Sequence, residues 1–224
     1  MGKKSPKHAP KRLKRTPKRE SKAPVKVAPP EVALPEPASE PASEPASKPI
    51  LYPLERSWTV WAGTPPPKKS GKGSRSEPSP PKIIIKFATI ENMWRCLNNI
   101  PGPTTLAVGA NIYIFMDGIE PSWEDPVNRA GGRWTFSTKG KCADECWETL
   151  CLSLFGETLE DGEVVTGIVL SRRKMYTRIS IWTVDRDDDF PNFRVGEFVK
   201  KTLQIPEIVY QDHGASFGKH RHSL

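Results

Sequence analysis

The sequence predicts an α+β fold built on an antiparallel sheet, on three observations. Segments of strand period and helix period are interspersed along residues 50–210. Several candidate strands are joined by links of hairpin length, which favours antiparallel pairing. The segment 144–155 puts Trp147, Cys151, Leu154 and Phe155 on one helical face and is followed by Gly156, the pattern of a helix packed on a sheet.

The elements follow in order. Residues 54–61 read as a first strand carrying Trp58 and Trp61. Residues 62–82, rich in Pro, Lys, Gly and Ser, read as a long loop. The apolar run Lys82-Ile-Ile-Ile-Lys86 suits a buried strand. Residues 90–99 read as a helix with Met93, Trp94 and Leu97 at helical spacing, Thr89 as its cap and Pro101 beyond its end. Strands are expected over 110–116, where Ile112, Ile114 and Met116 alternate, and over 132–137. A tight basic turn joins strands at 164–172 and 176–184. A third helix is expected over 195–203, before Pro206, and a last strand over 208–210.

Charge divides the chain of 224 residues. Residues 1–30 hold eleven Lys/Arg against Glu20 alone, and residues 31–49 carry a net −3. Of the total charge of +8, only +1 is left for residues 50–224. The basic character therefore belongs to a tail and not to the body, which excludes a domain that coats nucleic acid by bulk charge. Residues 1–49 lack aromatics and repeat the unit Glu-Pro-Ala-Ser, so disorder is expected there. The run from Lys11 to Arg19 reads as a nuclear address, an RNA-backbone contact or a solvated tail. The expected organisation is a tail over 1–49, one domain over 50–213 and a flexible tail over 214–224.

No apolar run reaches membrane-spanning length, and the basic N-terminus lacks the apolar core of a secretory signal. The four cysteines form no CxxC pair and read as free thiols. No catalytic motif, GxSxG, HExxH or phosphate loop, is present. An enzymatic rival is a hard metal held by Asp117, Glu120, Glu124 and Asp125; Asp185-Arg-Asp-Asp-Asp189 reads as a charged loop.

The binding motifs are more informative. Trp123 is followed directly by Glu124. An indole face attracts a flat cationic base, and a carboxylate accepts two hydrogen bonds from the base edge; 7-methylguanine has both properties. Read on spacing alone, the pair is more simply a core or surface aromatic beside an ordinary loop acid. Arg173 and Arg178, with Lys174 between them, stand at facing ends of the basic turn, where two cations grip a phosphate chain or simply keep a turn soluble. Trp182, further along that hairpin, either presents an apolar edge to a ligand or packs in the core. Tyr52, Pro53, Trp94 and Trp147 suggest an apolar strip able to receive a partner's amphipathic helix.

Several motifs occur together and in order: Tyr52-Pro-Leu with Trp58 and Trp61; Lys86-Phe-Ala-Thr-Ile-Glu-Asn-Met-Trp94; Phe115-Met-Asp-Gly-Ile-Glu-Pro-Ser-Trp-Glu-Asp125; Gly131-Gly-Arg-Trp134; Trp147 through Leu154-Phe-Gly-Glu157; and Arg173 with Ile181-Trp182-Thr183. From about Tyr52 to Tyr210 the chain resembles the eukaryotic cap-binding translation initiation factors of the 4E type. The resemblance implies a curved antiparallel sheet of about seven or eight strands with three helices on its convex face, and the mRNA cap in the concave face. It implies that Trp123 stacks on 7-methylguanine, that Glu124 accepts from its Watson–Crick edge, and that Trp182 contacts the added methyl. Arg173 and Arg178 would bind the phosphates, with Lys174 beside them. Tyr52, Pro53, Ile90, Trp94 and Leu152 would form the dorsal surface for a scaffold initiation factor or a 4E-binding repressor. The implied protein is a non-enzymatic cytoplasmic factor, also nuclear if the basic tail is an address, with no cofactor, metal or membrane partner. Family members usually close the base between two tryptophans, and this sequence has no aromatic between Trp61 and Phe87 where the first would stand. That departure motivates an alternative: a protein-interaction module or translational repressor with weak cap binding.

Overall fold

A computed structural model describes residues 50–64, 80–215 and 220–224. The basic tail, the loop residues 65–79 and residues 216–219 lie outside the described residues, and with them the expectations for 1–49 and for whatever covers the base opposite Trp123. Residues Lys48–Leu224 form one compact unit.

Among the described residues eight strands form one curved antiparallel sheet. They are β1 (Pro53–Gly63), β2 (Lys82–Thr89), β3 (Asn111–Met116), β4 (Gly132–Thr138), β5 (Val165–Arg172), β6 (Thr177–Thr183), β7 (Val209–Asp212) and β8 (His222–Ser223). The helices are α1 (Ile90–Leu97), α2 (Lys141–Phe155) and α3 (Asp189–Thr202). The strand order is β2-β1-β3-β5-β6-β4-β7-β8. Register shifts in the β1–β2 and β5–β6 pairs mark bulges, which bend the strands.

Alternation decides which residues face the helices. Trp58, Val60, Ile112, Ile114, Trp134, Phe136, Ile168, Leu170, Ile179 and Ile181 point to one face and join Met93, Leu150, Leu154 and Val195 of the three helices in the main core. Each of these large buried side chains contributes roughly 1.5–3 kcal/mol. The opposite face carries a smaller cluster of Phe115, Ile119, Val169 and Trp182, with Tyr113 and Met116 packed against it, beside polar and charged residues. The helices therefore cover one face of the sheet, and no helix residue joins the cluster on the other.

Long-range polar contacts explain several sequence motifs. Arg56 pairs with both carboxylate oxygens of Glu157, at 2.8 and 2.6 Å, and donates to the Gly162 carbonyl at 2.9 Å. The Gly131-Gly132 pair permits close approach: a Cβ at Gly131 would lie 1.9 Å from the Thr183 carbonyl oxygen, and one at Gly132 2.6 Å from the Tyr210 ring. The Trp134 indole donates to the Asn192 carbonyl at 2.8 Å and fixes α3 on β4.

Four expectations need correction. The run 82–86 is not a buried strand: β2 is the sheet edge, and Ile83 and Ile84 are about half exposed, at 52% and 48%, with Lys82 and Lys86 beside them to discourage edge pairing. Helix α2 starts at Lys141, three residues before Asp144, because Gly140 with φ 57 turns the chain into it. Helix α3 starts at Asp189, six residues before Val195. Asp189 in its first turn complements the helix dipole, and Pro191 is tolerated there, so the charged loop ends as a helix N-terminus. The segment 214–224 is not a tail throughout: β8 pairs with β7, Leu224 exchanges backbone hydrogen bonds with Ile208 at 3.0 and 3.3 Å, and Arg221 reaches Asp187 at 2.8 Å.

Candidate functional site

The loop 117–131 leaves β3 and returns as β4 at one end of the sheet. Asp117 anchors its start, accepting from Lys86 Nζ at 2.6 Å and Thr59 Oγ1 at 2.7 Å; these two hydrogen bonds, Lys86 first, hold its pKa below the ordinary carboxylate value. Asp125 accepts from the backbone N–H of Glu120 at 2.9 Å and of Val127 at 2.8 Å. Two of the four acids of the metal rival are thus committed to the loop's own shape, and among the described residues no group of three metal-ligating side chains exists.

Asn128 ties this loop down. It is fully buried, and its amide nitrogen donates to the carbonyls of Glu120 at 2.9 Å and Ser122 at 3.0 Å. Its amide oxygen accepts from Thr166 Oγ1 at 2.8 Å, and Thr166 sits against the Trp182 carbonyl. The loop crest is thereby fixed beside the Trp182 end of the β5–β6 pair. At that crest Trp123 is 56% exposed and Glu124 is exposed, an indole and a carboxylate open to solvent on a rigid mount.

Trp182 shares its face of the sheet with Arg178 and Ser180, opposite the core residues Ile179 and Ile181. Its ring packs edge-on against Phe115 at 5.3 Å and at a tilt of 42° against the His213 ring at 4.0 Å, leaving 7% of the residue exposed. It is largely a packing residue that presents an edge. Burial, then the neighbouring charges of Arg133 and Arg186, push the His213 pKa from 6.5 down to about 3, so this ring is neutral at pH 7. Neither of its nitrogens has a hydrogen-bond partner among the described residues.

The other end of the same face is cationic. In the β5–β6 hairpin Ser171 pairs with Arg178, and the Arg173 N–H donates to the Tyr176 carbonyl at 2.9 Å across the turn. Arg173 also donates from Nη1 to Asn111 Oδ1 at 3.1 Å and to the Arg172 carbonyl at 3.0 Å. Arg178 lies over the Tyr176 ring at 5.7 Å and donates to its hydroxyl at 3.2 Å. Lys174 is exposed in the turn. Arg133 starts from the Trp182 end, where it is paired across the strands with Trp182 and donates to Gln211 Oε1 at 3.1 Å, and it feels the charge of Arg178. Among the described residues none of Arg133, Arg173, Arg178 and Lys174 forms an ion pair with a carboxylate. Neutral amides and carbonyls orient these guanidiniums without discharging them, which suits an incoming polyanion. Arg178 stands four strand positions from Trp182, about 13 Å at ~3.3 Å per residue.

The residues expected on the dorsal surface lie on the helical side. Tyr52 is joined to α1 by its N–H to Glu91 at 3.2 Å and its carbonyl to the Ile90 N–H at 2.9 Å. Tyr52, Ile90 and Trp94 are exposed by 59%, 40% and 41%, Pro53 is exposed, and Leu152 is half-buried against the main core. Trp147 is buried, but it lines a cavity of about 220 Å³ with Trp94, Leu97 and Glu148. No helix among the described residues is long and apolar enough to cross a membrane.

The family model of eukaryotic initiation factor 4E matches residues 53–224. The chain belongs to the initiation factor 4E family. It is 36% identical over 160 residues to eukaryotic translation initiation factor 4E-1 of Nicotiana tabacum, covering 70% of each chain. It is 33% identical over 177 residues to the factor of Saccharomyces cerevisiae, covering 76% of this chain and 81% of that one. Among solved structures it resembles Caenorhabditis elegans eIF4E-3 in complex with the 4E-binding protein Mextli and a cap analog, with a TM-score of 0.69, 31% identity and coverage of 78% of this chain and 100% of that one. It also resembles Ascaris suum eIF4E-3 with the m2,2,7G cap, with a TM-score of 0.68, 30% identity and coverage of 78% and 99%.

Within this 4E fold, sequence reasoning missed four residues that build the polar face: Asn111, Asn128, Arg133 and His213. Arg133 had a usable signal, since it alternates with Trp134 in a strand and must face away from the core. Asn128 and His213 had none, because their partners Thr166 and Trp182 lie 38 and 31 positions away in the chain.

Proposed function

We infer that this chain binds the 7-methylguanosine cap of mRNA on the polar face of its sheet and recruits a scaffold initiation factor, or yields to a 4E-binding repressor, through its helical face. One observation carries the reading: an exposed Trp-Glu pair and a cluster of unpaired guanidiniums occupy the two ends of one sheet face. A methylated guanine is cationic, so its attraction to the Trp123 face adds to stacking, which is worth roughly 1–3 kcal/mol per base. Glu124 accepts from the base edge, while Arg173 and Arg178, with Lys174 and Arg133 near them, take the phosphates. Trp182 supplies an apolar edge toward the methyl. The protein acts by binding and turns nothing over. It works in the cytoplasm, and nuclear entry through the run Lys11–Arg19 is a further proposal from the sequence alone.

The sequence lacks a second stacking aromatic before Phe87, so affinity about tenfold to a hundredfold below that of a two-sided stack is expected. The likeness to eIF4E-3 complexes holding cap ligands does not favour the alternative of a mere interaction module. Titration of the full chain with 7-methylguanosine triphosphate and with guanosine triphosphate, read by tryptophan fluorescence, tests the reading. Equal affinities would remove the cap-binding claim.

A further inference from the structure

Tyr176 is not used by the cap site as described above, yet its position is specific. The backbone bond from Arg173 to Tyr176 closes the β5–β6 turn, so these two residues face each other across the hairpin. The next same-face pair inward is Ser171 with Arg178. Cross-strand partners share a face, so Arg173, Tyr176 and Arg178 lie together on the polar side with Trp182. The Arg178 guanidinium lies over the Tyr176 ring at 5.7 Å and bonds its hydroxyl at 3.2 Å. The ring is half-buried, and the neighbouring Met175 is 69% exposed. Along β6 the order from the base end is therefore Trp182, Arg178, Tyr176. The last lies about 20 Å from the first at ~3.3 Å per residue. A ligand that spans from the indole edge to the arginines with a base and a triphosphate has its next nucleoside at this ring. An aromatic ring flanked by two phosphate-directed cations is a stacking platform for any nucleobase.

We propose that Tyr176 stacks on the base of the nucleotide joined to the far end of the cap triphosphate, so that this site recognises a capped dinucleotide and not the cap mononucleotide alone. The proposal rests on the cap-binding reading. The base preference is weak, because every base offers a π-face, with purines favoured by their larger area. Arg178 serves both parts, binding phosphate and holding the ring in place.

The test uses the full chain and two ligands, 7-methylguanosine triphosphate and the capped dinucleotide m7GpppA, each beside its unmethylated counterpart, titrated into the wild type, Tyr176→Ala and Tyr176→Phe. In Tyr176→Ala the dinucleotide loses about fivefold or more in affinity relative to the mononucleotide. Tyr176→Phe, which keeps the ring and loses the hydroxyl, restores the wild-type ratio. If Tyr176→Ala weakens both ligands by the same factor, the ring serves only to place Arg178, and the proposal is overturned. If it changes neither, the proposal is also overturned. Failure of the wild type to prefer either ligand over its unmethylated counterpart is a different result: it sinks the cap-binding reading itself.

Discussion

Thr166 donates a 2.8 Å hydrogen bond to the amide oxygen of the fully buried Asn128, and this bond joins the loop that carries Trp123 and Glu124 to the start of β5. The same Asn128 amide spans the Glu120 and Ser122 carbonyls. The presenting loop is therefore held by an internal side chain and not by the exposed motif residues themselves.

Substituting Asn128 by Ala removes three side-chain hydrogen bonds, to the Glu120 and Ser122 carbonyls and from the Thr166 hydroxyl, from a fully buried position. A loss of about 1–3 kcal/mol in unfolding free energy is expected, since each bond contributes about 0.5–1.5 kcal/mol and the loop relaxes in part. Urea denaturation measures this. Affinity for 7-methylguanosine triphosphate should fall about tenfold or more because the crest is no longer fixed. Unchanged affinity would mean that the loop is positioned by other contacts.

His213 makes stability depend on acid. Its folded-state pKa of about 3 lies below the ordinary 6.5. Between those values the unfolded chain binds a proton that the folded chain refuses. Stability is thus full above about pH 6.5 and declines as pH falls toward 3, with a slope of up to about 1.4 kcal/mol per pH unit from this group. His213→Gln cannot titrate, so its stability profile should be flatter over that range. Parallel profiles for the two proteins would rule out His213 as the cause.

The Gly131-Gly132 pair predicts intolerance to a single methyl. Gly132→Ala drives a Cβ into the Tyr210 ring, and Tyr210 is itself fully buried and bonded to Thr183 at 2.8 Å. A destabilisation of about 1–3 kcal/mol is expected from overpacking, read as a lower denaturation midpoint. Gly118→Ala, by contrast, meets no atom within 4 Å; its φ of +90 supplies the strain instead.

The two faces of the sheet should be separable by mutation. Trp94 lies on the helical side and is 41% exposed. Trp94→Ala should leave affinity for 7-methylguanosine triphosphate within about twofold while removing the proteins that co-purify with the chain on cap resin. Trp123→Ala should do the reverse to free-solution partner binding. A large loss of cap affinity in Trp94→Ala would show that the faces are coupled.

Much of this was legible in the sequence because the informative residues are contiguous. Trp123-Glu124, Arg173 with Arg178, and Tyr52-Pro53 each sit in short runs that mark them as candidates without a fold. The three helices and seven of the strands also follow from local periodicity. What escaped was set at long range. The edge position of β2 depends on which strand has no further neighbour, and β8 on two residues pairing back across residues 213–221. The early start of α3 required seeing Asp189 as a helix terminus and not as the end of an acidic loop. Read from its own segment, Trp182 stayed open between core and site, and only the family resemblance assigned it to the base; its burial comes from Phe115 and His213, 67 and 31 positions away.

The most direct measurement is the ratio of affinities for 7-methylguanosine triphosphate and guanosine triphosphate in the wild type, Trp123→Ala and Glu124→Gln. The wild type should prefer the methylated ligand by about tenfold or more, and both variants should lose that preference while the arginines retain a weak, salt-sensitive affinity for either triphosphate. A preference that survives both substitutions would contradict the assignment of this Trp-Glu pair as the base-recognition element.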